Sequence, residues 1–466
     1  MKNAIIWEFD NFLVREVIED LERDNIIKIK KWFVNDKYIN DNFFDNKNCI
    51  VNWFELIIKG DINQKRDIKI EDKLYNNLFL KFNMFIDLLV RHSFFTNQHN
   101  YENINIINMF IKYFYCMLIE ENIEVIIFPD IPHDLPNYML YCIAKEINIK
   151  TIILVPTFFV DKFYYLLDIE DYGIFDNSEI YCCENEKINL NKEYKKDLFY
   201  MKKPCHKSKI KRKFRFVINF SGWINERVEI ICRKKYLYIG IYEFLLTKII
   251  KSTKLKLENY LYEDTINKRG MGIDLNLKYV YFPLHLQPEM TTSVLGGIYS
   301  DQLLAIERLA KIIPNDWYIY VKENPKQTSY MRGKFFFRRL NLISKAILVS
   351  KDVDTYDLMD KCQFVATITG TAGWEAITGG KNVLVFGKAW YINFPGVFKY
   401  DENLKIKDII EFKINHKKIE NRLEEMLMKT VKGVVNTDLL LGINNFNYEN
   451  NKKDIYKFFL WIMNYI

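Results

Sequence analysis

The 466-residue sequence lacks the cysteine pattern of a metal-binding or disulfide-rich protein. Its eight cysteines include no CxxC pair and have no histidine at metal-ligand spacing, and the adjacent Cys182 and Cys183 do not form a finger motif. Cysteines scattered in this way are typical of buried thiols in a reducing compartment. We therefore expect no metal site, and nothing in the sequence calls for a cofactor.

Long hydrophobic runs are also missing. No apolar stretch approaches the roughly 18 residues that a membrane-spanning helix needs. The first residues, "MKNAIIWEFDNFL", carry acids too early for a secretory signal. The expected location is the cytoplasm, either free or in peripheral contact with the inner face of the membrane.

A strong charge imbalance is absent as well. The 67 basic and 60 acidic side chains leave a formal net charge of +7. One dense basic run, "KKPCHKSKIKRKFR" at residues 202–215, is interpreted as a solvated loop or linker because no recognised nucleic-acid-binding module surrounds it. We expect no nucleic-acid partner, and anionic lipid headgroups or an acidic polysaccharide are the alternative contacts for the run.

The composition that is present supports packed interiors, with 49% hydrophobic and 16% aromatic residues. The length favours two domains of roughly 200 residues each. We predict an α/β domain with a helical N-terminal region over 1–270, a Rossmann-like domain over 271–445, and a C-terminal helix over 446–466 that packs back on the first domain.

A β-loop-α-β unit is predicted in the first domain. The β-branched run at 124–128 ends in the loop "FPDIPHDLP", an amphipathic stretch follows at 137–147, and "KTIILV" forms the next strand. Parallel strands require a right-handed crossover, which leaves the loop at the carboxyl edge of the sheet. Ligands bind at that edge in open α/β sheets.

The second domain shows a longer alternation of strands and helices from residue 278 onwards, typical of a doubly wound sheet. Three loops follow its strands: "LHLQPEMTTS", "KENPKQ" and "TGTAGWEA". Each places polar groups or backbone donors where a helix or loop begins, which is where phosphate charge is best stabilised. Together they predict a nucleotide site.

The loop "TGTAGWEA" is the most specific of the three. Gly370 and Gly373 allow close backbone approach, and Glu375 is either an acceptor for ribose hydroxyls or a first-turn acid that suits the helix dipole. Taken singly, His285 is better explained as a structural histidine, and Gln287 with Pro288 as turn residues. The candidate nucleotide-binding residues are His285, Gln287, Pro288, Glu289, Lys322, Asn324, Pro325, Thr369, Gly370, Thr371 and Glu375.

A DxD sequence, "DVD" at 352–354, suggests a metal-dependent enzyme in other contexts. Here Asp354 directly precedes "TYDLMDKC", with Asp357 three residues later. This spacing predicts a helix N-cap followed by an acidic first turn. We assign no metal to it.

These blocks together resemble the bacterial capsular polysaccharide biosynthesis proteins related to the Kdo transferases. The resemblance rests on "YFPLHLQPEMTTSVLGG", "DQLLAIERLAKIIPNDWYIYVKENP", "TGTAGWEAITGGKNVLVFGKAWY" and the upstream "PDIPHDLPNYMLYCIAKEINIKTIIL", and it spans residues 125–400. It implies a GT-B architecture, in which two Rossmann-like domains face each other across a cleft. It also implies metal-independent transfer of a sugar from a nucleotide-activated donor, with the first domain on the acceptor side.

Characterised members of that family use CMP-activated Kdo and carry a Gln-Pro and a His-Pro motif on the donor side. The first motif maps onto Gln287 and Pro288, whereas the second maps onto Asn324 and Pro325, so a neutral amide replaces the histidine. Part of the charge beside the leaving phosphate would then come from Lys322 or from helix N-termini. The resemblance implies a polysaccharide or glycolipid acceptor.

Sugar transfer also needs a carboxylate or base opposite the leaving phosphate. The facing loop offers Asp130, His133 and Asp134 as candidate catalytic residues. Asp134 or His133 is the preferred candidate, and Asp130 is equally explained as a loop cap. Two other classes stay open: a nucleotide-sugar epimerase or phosphoglycerol-type transferase, and a non-catalytic carbohydrate-binding assembly protein.

Overall fold

The computed structural model describes residues 1–9, 12–34, 50–52, 68–90, 99–157, 161–175, 257–266, 273–329, 332–443 and 446–466. The basic run at 202–215 and the adjacent cysteines at 182 and 183 lie outside these ranges. Within them, Cys116, Cys142 and Cys362 are buried, and none of the three forms a disulfide.

The first sheet has seven strands in the described chain, in the order β13-β6-β5-β4-β1-β2-β3. Strands β1 to β5 are mutually parallel, and β6 runs antiparallel to both of its neighbours. Because β2 lies on one side of β1 and β4 on the other, the strand order reverses between β1 and β4. The strands are β1 (Lys2–Trp7), β2 (Ile27–Val34), β3 (Ile50–Asn52), β4 (Val125–Phe128), β5 (Lys150–Pro156), β6 (Lys162–Leu166) and β13 (Val431–Lys432).

The second sheet is parallel throughout its six described strands, in the order β12-β11-β10-β7-β8-β9. Its order reverses between β7 and β10, so the loops that follow these two strands diverge there and leave a crevice. The strands are β7 (Tyr279–Pro283), β8 (Tyr318–Lys322), β9 (Ala346–Val349), β10 (Val365–Thr367), β11 (Val383–Val385) and β12 (Val397–Lys399).

Helices cover both faces of each sheet because successive strand residues point to opposite sides. In β1, Ile5 and Trp7 join one hydrophobic cluster and Ala4 and Ile6 join another. A further helical stretch covers 257–266. The labelled helices are α1 (Arg15–Arg23), α2 (Asp72–Phe79), α3 (Phe82–Val90), α4 (Asn100–Glu120), α5 (Leu135–Glu146), α6 (Gln302–Ile312), α7 (Lys334–Asn341), α8 (Thr355–Lys361), α9 (Thr371–Thr378), α10 (Ile406–Glu411), α11 (His416–Met428) and α12 (Tyr448–Tyr465).

The final helix, α12, packs on the first sheet beside α1. Lys452 Nζ forms an ion pair with Glu16 at 3.1 Å and with Asp20 at 2.9 Å. Phe458 lies edge-on to Phe163 of β6, with ring centroids 5.5 Å apart. Among the described helices, none combines the length and hydropathy needed to cross a bilayer.

Polar contacts join the two domains across the cleft. Ser293 Oγ donates to Asp87 Oδ2 at 3.0 Å, and Lys429 Nζ donates to the carbonyl oxygen of Phe175 at 2.7 Å. Lys388 forms an ion pair with Glu170. The α/β class and the GT-B-like arrangement predicted from the sequence are confirmed.

Two details differ from the sequence-based expectation. The N-terminal region is not only helical, since it contributes β1, β2 and β3 to the sheet. The chain also returns to the first sheet at β13, where Val431 pairs with Phe163, before the expected boundary at 445. A short continuous apolar run does not distinguish strand from helix, and a two-residue strand has no periodicity to read.

Truncation of Phe458 tests the packing of α12. Phe458 is fully buried, so Phe458→Ala should lower the free energy of unfolding by about 3–5 kcal/mol, measured by urea denaturation. The exposed neighbour Lys457 provides the control, and Lys457→Ala should stay within about 0.5 kcal/mol of the parent. Equal, small effects would show that α12 does not depend on this contact.

Candidate functional site

A cavity of about 560 Å³ lies between the two domains. Its walls include the loops that follow β4, β7, β8 and β10, together with Asn436 and Leu439 of the returning chain. The loops after β4, β7 and β10 mark the two points where strand order reverses. The predicted site residues that line it are Asp130, His285, Lys322, Asn324, Pro325, Thr369, Gly370, Thr371 and Glu375.

The other predicted site residues do not line the cavity. Asp134 forms a capping box with Asn137, whose Oδ1 accepts from the Asp134 backbone N–H at 2.9 Å. His133 Nδ1 lies 2.6 Å from the carbonyl oxygen of Ile131 and donates to it. The remaining residues outside the lining are Gln287, Pro288 and Glu289.

Asp130 is the one candidate catalytic residue that borders the cavity. Its Oδ1 accepts from the Ile131 backbone N–H at 2.7 Å, so it also shapes the loop. Burial raises the pKa of its carboxyl group, although nearby His133 and the Ile131 amide oppose the shift. A carboxylate with a raised pKa is a stronger base than a solvated aspartate.

Glu375 faces the cavity from the second domain, one turn into α9. Its side chain accepts no hydrogen bond from any of the described residues, although the residue is only 7% exposed. Burial raises the pKa of its carboxyl group to about 7. A buried carboxyl with vacant acceptor sites suits a ligand that carries hydroxyl groups.

The start of α9 packs tightly against protein side chains. A Cβ at Gly370 would lie 3.0 Å from the His285 ring, and a Cβ at Gly373 would overlap the Tyr391 hydroxyl. Thr369 Oγ1 donates to the carbonyl oxygen of Thr291 at 2.8 Å. The two glycines therefore admit neighbouring side chains close to the backbone.

His285 is held as a neutral imidazole. Its Nε2 lies 2.9 Å from Thr367 Oγ1. Burial, with a further contribution from the positive charge of Arg332, lowers its pKa to about 4. At neutral pH it offers hydrogen-bonding groups without a positive charge.

Lys322 and Asn324 follow β8 at the cavity wall. Lys322 Nζ donates to the Val353 carbonyl oxygen and to Thr355 Oγ1 at 2.9 Å. Burial lowers its pKa, against the opposing charges of two nearby aspartates. Asn324 Oδ1 accepts from the backbone N–H of Lys326 at 2.9 Å, so this residue also forms a turn.

The DxD sequence acts as a cap, as predicted. Asp354 Oδ1 accepts from the backbone N–H groups of Tyr356 at 2.7 Å and Asp357 at 3.1 Å. Within the described ranges, no group of three or more His, Cys, Asp or Glu side chains is placed to hold a metal ion.

A buried ion pair beside the cavity was not found from the sequence. Arg332 Nε lies 3.2 Å from Glu323 Oε2, and the two side chains are 1% and 0% exposed. Glu323 lies in the loop "KENPKQ", but Arg332 belongs to no motif, and the contact depends on the fold bringing the start of α7 next to the end of β8. No local sequence signal could have found it.

Comparison with known proteins identifies a family. The family described as "Capsule polysaccharide biosynthesis protein" matches residues 184–431. No curated protein matches the chain.

Among solved structures, the β-Kdo 2,7 transferase of Thermosulfurimonas dismutans KpsC is 14% identical, with a TM-score of 0.26, over 44% of this chain and 61% of that one. The β-Kdo 2,4 transferase of the same protein is 14% identical, with a TM-score of 0.24, over 39% and 56%. The UDP-GlcNAc 2-epimerase of Methanocaldococcus jannaschii is 12% identical, with a TM-score of 0.24, over 92% and 99%. The chain thus spans less than two thirds of the transferase structures.

The pKa of Glu375 predicts a pH-dependent stability. Because its folded-state pKa of about 7 exceeds the ordinary 4.5, its contribution is fully present below pH 4.5 and is lost as the pH rises through 7. Glu375→Gln removes this loss, so the variant should be more stable than the parent by about 3 kcal/mol at pH 8 and equal to it near pH 4.5. Urea denaturation across this range measures the difference.

The exposed Glu402 serves as the control, and Glu402→Gln should change stability little at either pH. A Glu375→Gln difference that does not vary with pH would contradict the raised pKa.

Proposed function

The chain belongs to the capsule polysaccharide biosynthesis protein family, and from this premise we propose that it is a glycosyltransferase. It moves a sugar, Kdo or a related acidic sugar, from a nucleotide-activated donor to a polysaccharide or glycolipid acceptor. A CMP-linked donor is favoured. The observation that carries the proposal is that Asp130 of the first domain and the start of α9 with Glu375 of the second border the same cavity.

The donor nucleotide is proposed to bind on the second domain. Thr371 and Ala372 line the cavity at the first turn of α9, where helix N–H groups lack intrahelical partners and attract phosphate. Lys322 adds a positive charge at the same wall, and Glu375 accepts from the ribose hydroxyls. We propose that these groups stabilise the leaving phosphate without a metal.

The acceptor is proposed to bind on the side of Asp130. An acceptor hydroxyl oxygen attacks the anomeric carbon, and its proton passes to the Asp130 carboxylate. The bond between that carbon and the phosphate oxygen breaks, and the nucleotide leaves with the bonding electrons. The partly buried position of Asp130 supports this role because burial strengthens the base.

Two matched aspartate variants test this assignment. Asp130→Asn should lower kcat at least about 100-fold because the proton acceptor is lost, while nucleotide affinity measured by calorimetry stays near that of the parent. Asp134→Asn should keep kcat within a few-fold, since asparagine is an equally good helix cap. If Asp134→Asn loses as much turnover as Asp130→Asn, the base lies elsewhere or the loop acts only structurally.

Variants of Lys322 and Asn324 test the donor side. Charge-assisted hydrogen bonds are about twice as strong as neutral ones, so Lys322→Ala should lower turnover more than Asn324→Ala. Asn324→His should preserve or improve transfer from a CMP-linked donor. Steady-state kinetics, with thermal unfolding as the check on folding, measure all three, and equal, small effects would place both residues outside the reaction.

A further inference from the structure

Arg332 joins two loops that form the donor side of the cavity. Its Nη2 donates to the carbonyl oxygen of His285 at 3.0 Å, and its Nη1 donates to Gln287 Oε1 at 2.6 Å, both in the loop after β7. Its Nε pairs with Glu323 Oε2 at the end of β8. One rigid guanidinium therefore ties together the ends of two neighbouring strands.

The side-chain amide of Gln287 is occupied by protein groups. Its Nε2 donates to the carbonyl oxygen of Ser300 at 2.9 Å, and its Oε1 accepts from Gln302 Nε2 at 3.1 Å as well as from Arg332. Its backbone N–H donates to Gln327 Oε1 at 2.8 Å. Gln287 is thus built into the wall behind the cavity.

Glu323 extends the same network to the cavity surface. It lies between Lys322 and Asn324, and its Oε1 accepts from the Asn324 backbone N–H at 2.9 Å. The position of Glu323 therefore fixes the backbone segment that carries Lys322 and Asn324. Any shift of Arg332 would be passed to them through this carboxylate.

Stability alone does not account for the burial of the Arg332–Glu323 ion pair. Both ions are removed from water, and an ion pair in that position typically stabilises a fold no more than apolar side chains of similar size. The Arg332 guanidinium makes directional hydrogen bonds to both loops, and apolar side chains could not make these bonds. The observations favour a role in loop geometry.

We propose that Arg332 is a positioning residue of the donor site, which holds the loops after β7 and β8 in the conformation that binds the nucleotide, and that Gln287 acts through it. This inference rests on the proposed function. It gives the Gln-Pro motif a role that needs no contact between Gln287 and the ligand.

The double variant Arg332→Met/Glu323→Gln tests the proposal. It removes both buried charges, while the new glutamine oxygen can still accept from the Asn324 N–H, and Gln302 still donates to the His285 carbonyl oxygen at 3.3 Å. The protein should therefore fold. Arg339→Met/Glu307→Gln makes the same change in a half-exposed pair of the same domain, at 2.7 Å, as the matched control.

Amide hydrogen exchange of the ligand-free proteins should be at least tenfold faster at His285 and Gln287 in the double variant and unchanged in the control. Calorimetry with CMP, CDP, UDP and GDP should show at least tenfold weaker binding of whichever nucleotide the parent binds. A folded double variant with parental exchange and parental affinity would overturn the proposal.

Arg332→Lys provides a second variant if the double variant does not fold. Lysine can keep the pairing with Glu323 but cannot reach both His285 and Gln287, so the same changes are expected, and parental values would again overturn the proposal. If the parent itself binds none of the four nucleotides, the proposed function fails. The exchange measurement still decides whether Arg332 orders the loops.

Discussion

Parallel strand order is the constraint on which the rest of the structure depends. Parallel neighbours need crossovers, so the loops that follow them collect at one edge, and each sheet has one point where its order reverses. In this protein the carboxyl edges of the two sheets face each other across the cavity. Contacts such as the hydrogen bond from Ser293 to Asp87 join the two domains. Chemical groups from loops far apart in sequence are thereby brought together.

Burial shifts the pKa values of ionisable side chains that line the cavity and so gives them different roles. The carboxyl groups of Asp130 and Glu375 both have raised pKa values, whereas the pKa of His285 is lowered to about 4. Near neutral pH His285 therefore adds no positive charge to the second domain's wall of the cavity. The proposed division, with a base on one side and phosphate-stabilising groups on the other, follows from these environments.

The sequence predicted the elements whose signals are local. The strands from β7 to β11, the helices α6, α8 and α9, the β4-loop-α5-β5 unit and the Asp354 cap all depend on periodicity or capping residues. Contacts between distant segments could not be predicted. Local spacing did not reveal that Asp134 caps a helix while Asp130 borders the cavity, or that Arg332 would meet Gln287 across 45 residues.

The most direct test of the account is a transfer assay with CMP-activated Kdo, with and without an oligosaccharide or glycolipid acceptor, analysed by mass spectrometry in excess EDTA. The account predicts an acceptor product heavier by one sugar, with release of CMP that depends on the acceptor. A donor left intact under all conditions, or a donor converted to an isomer without any acceptor, would contradict the proposal that this protein is a glycosyltransferase using that donor.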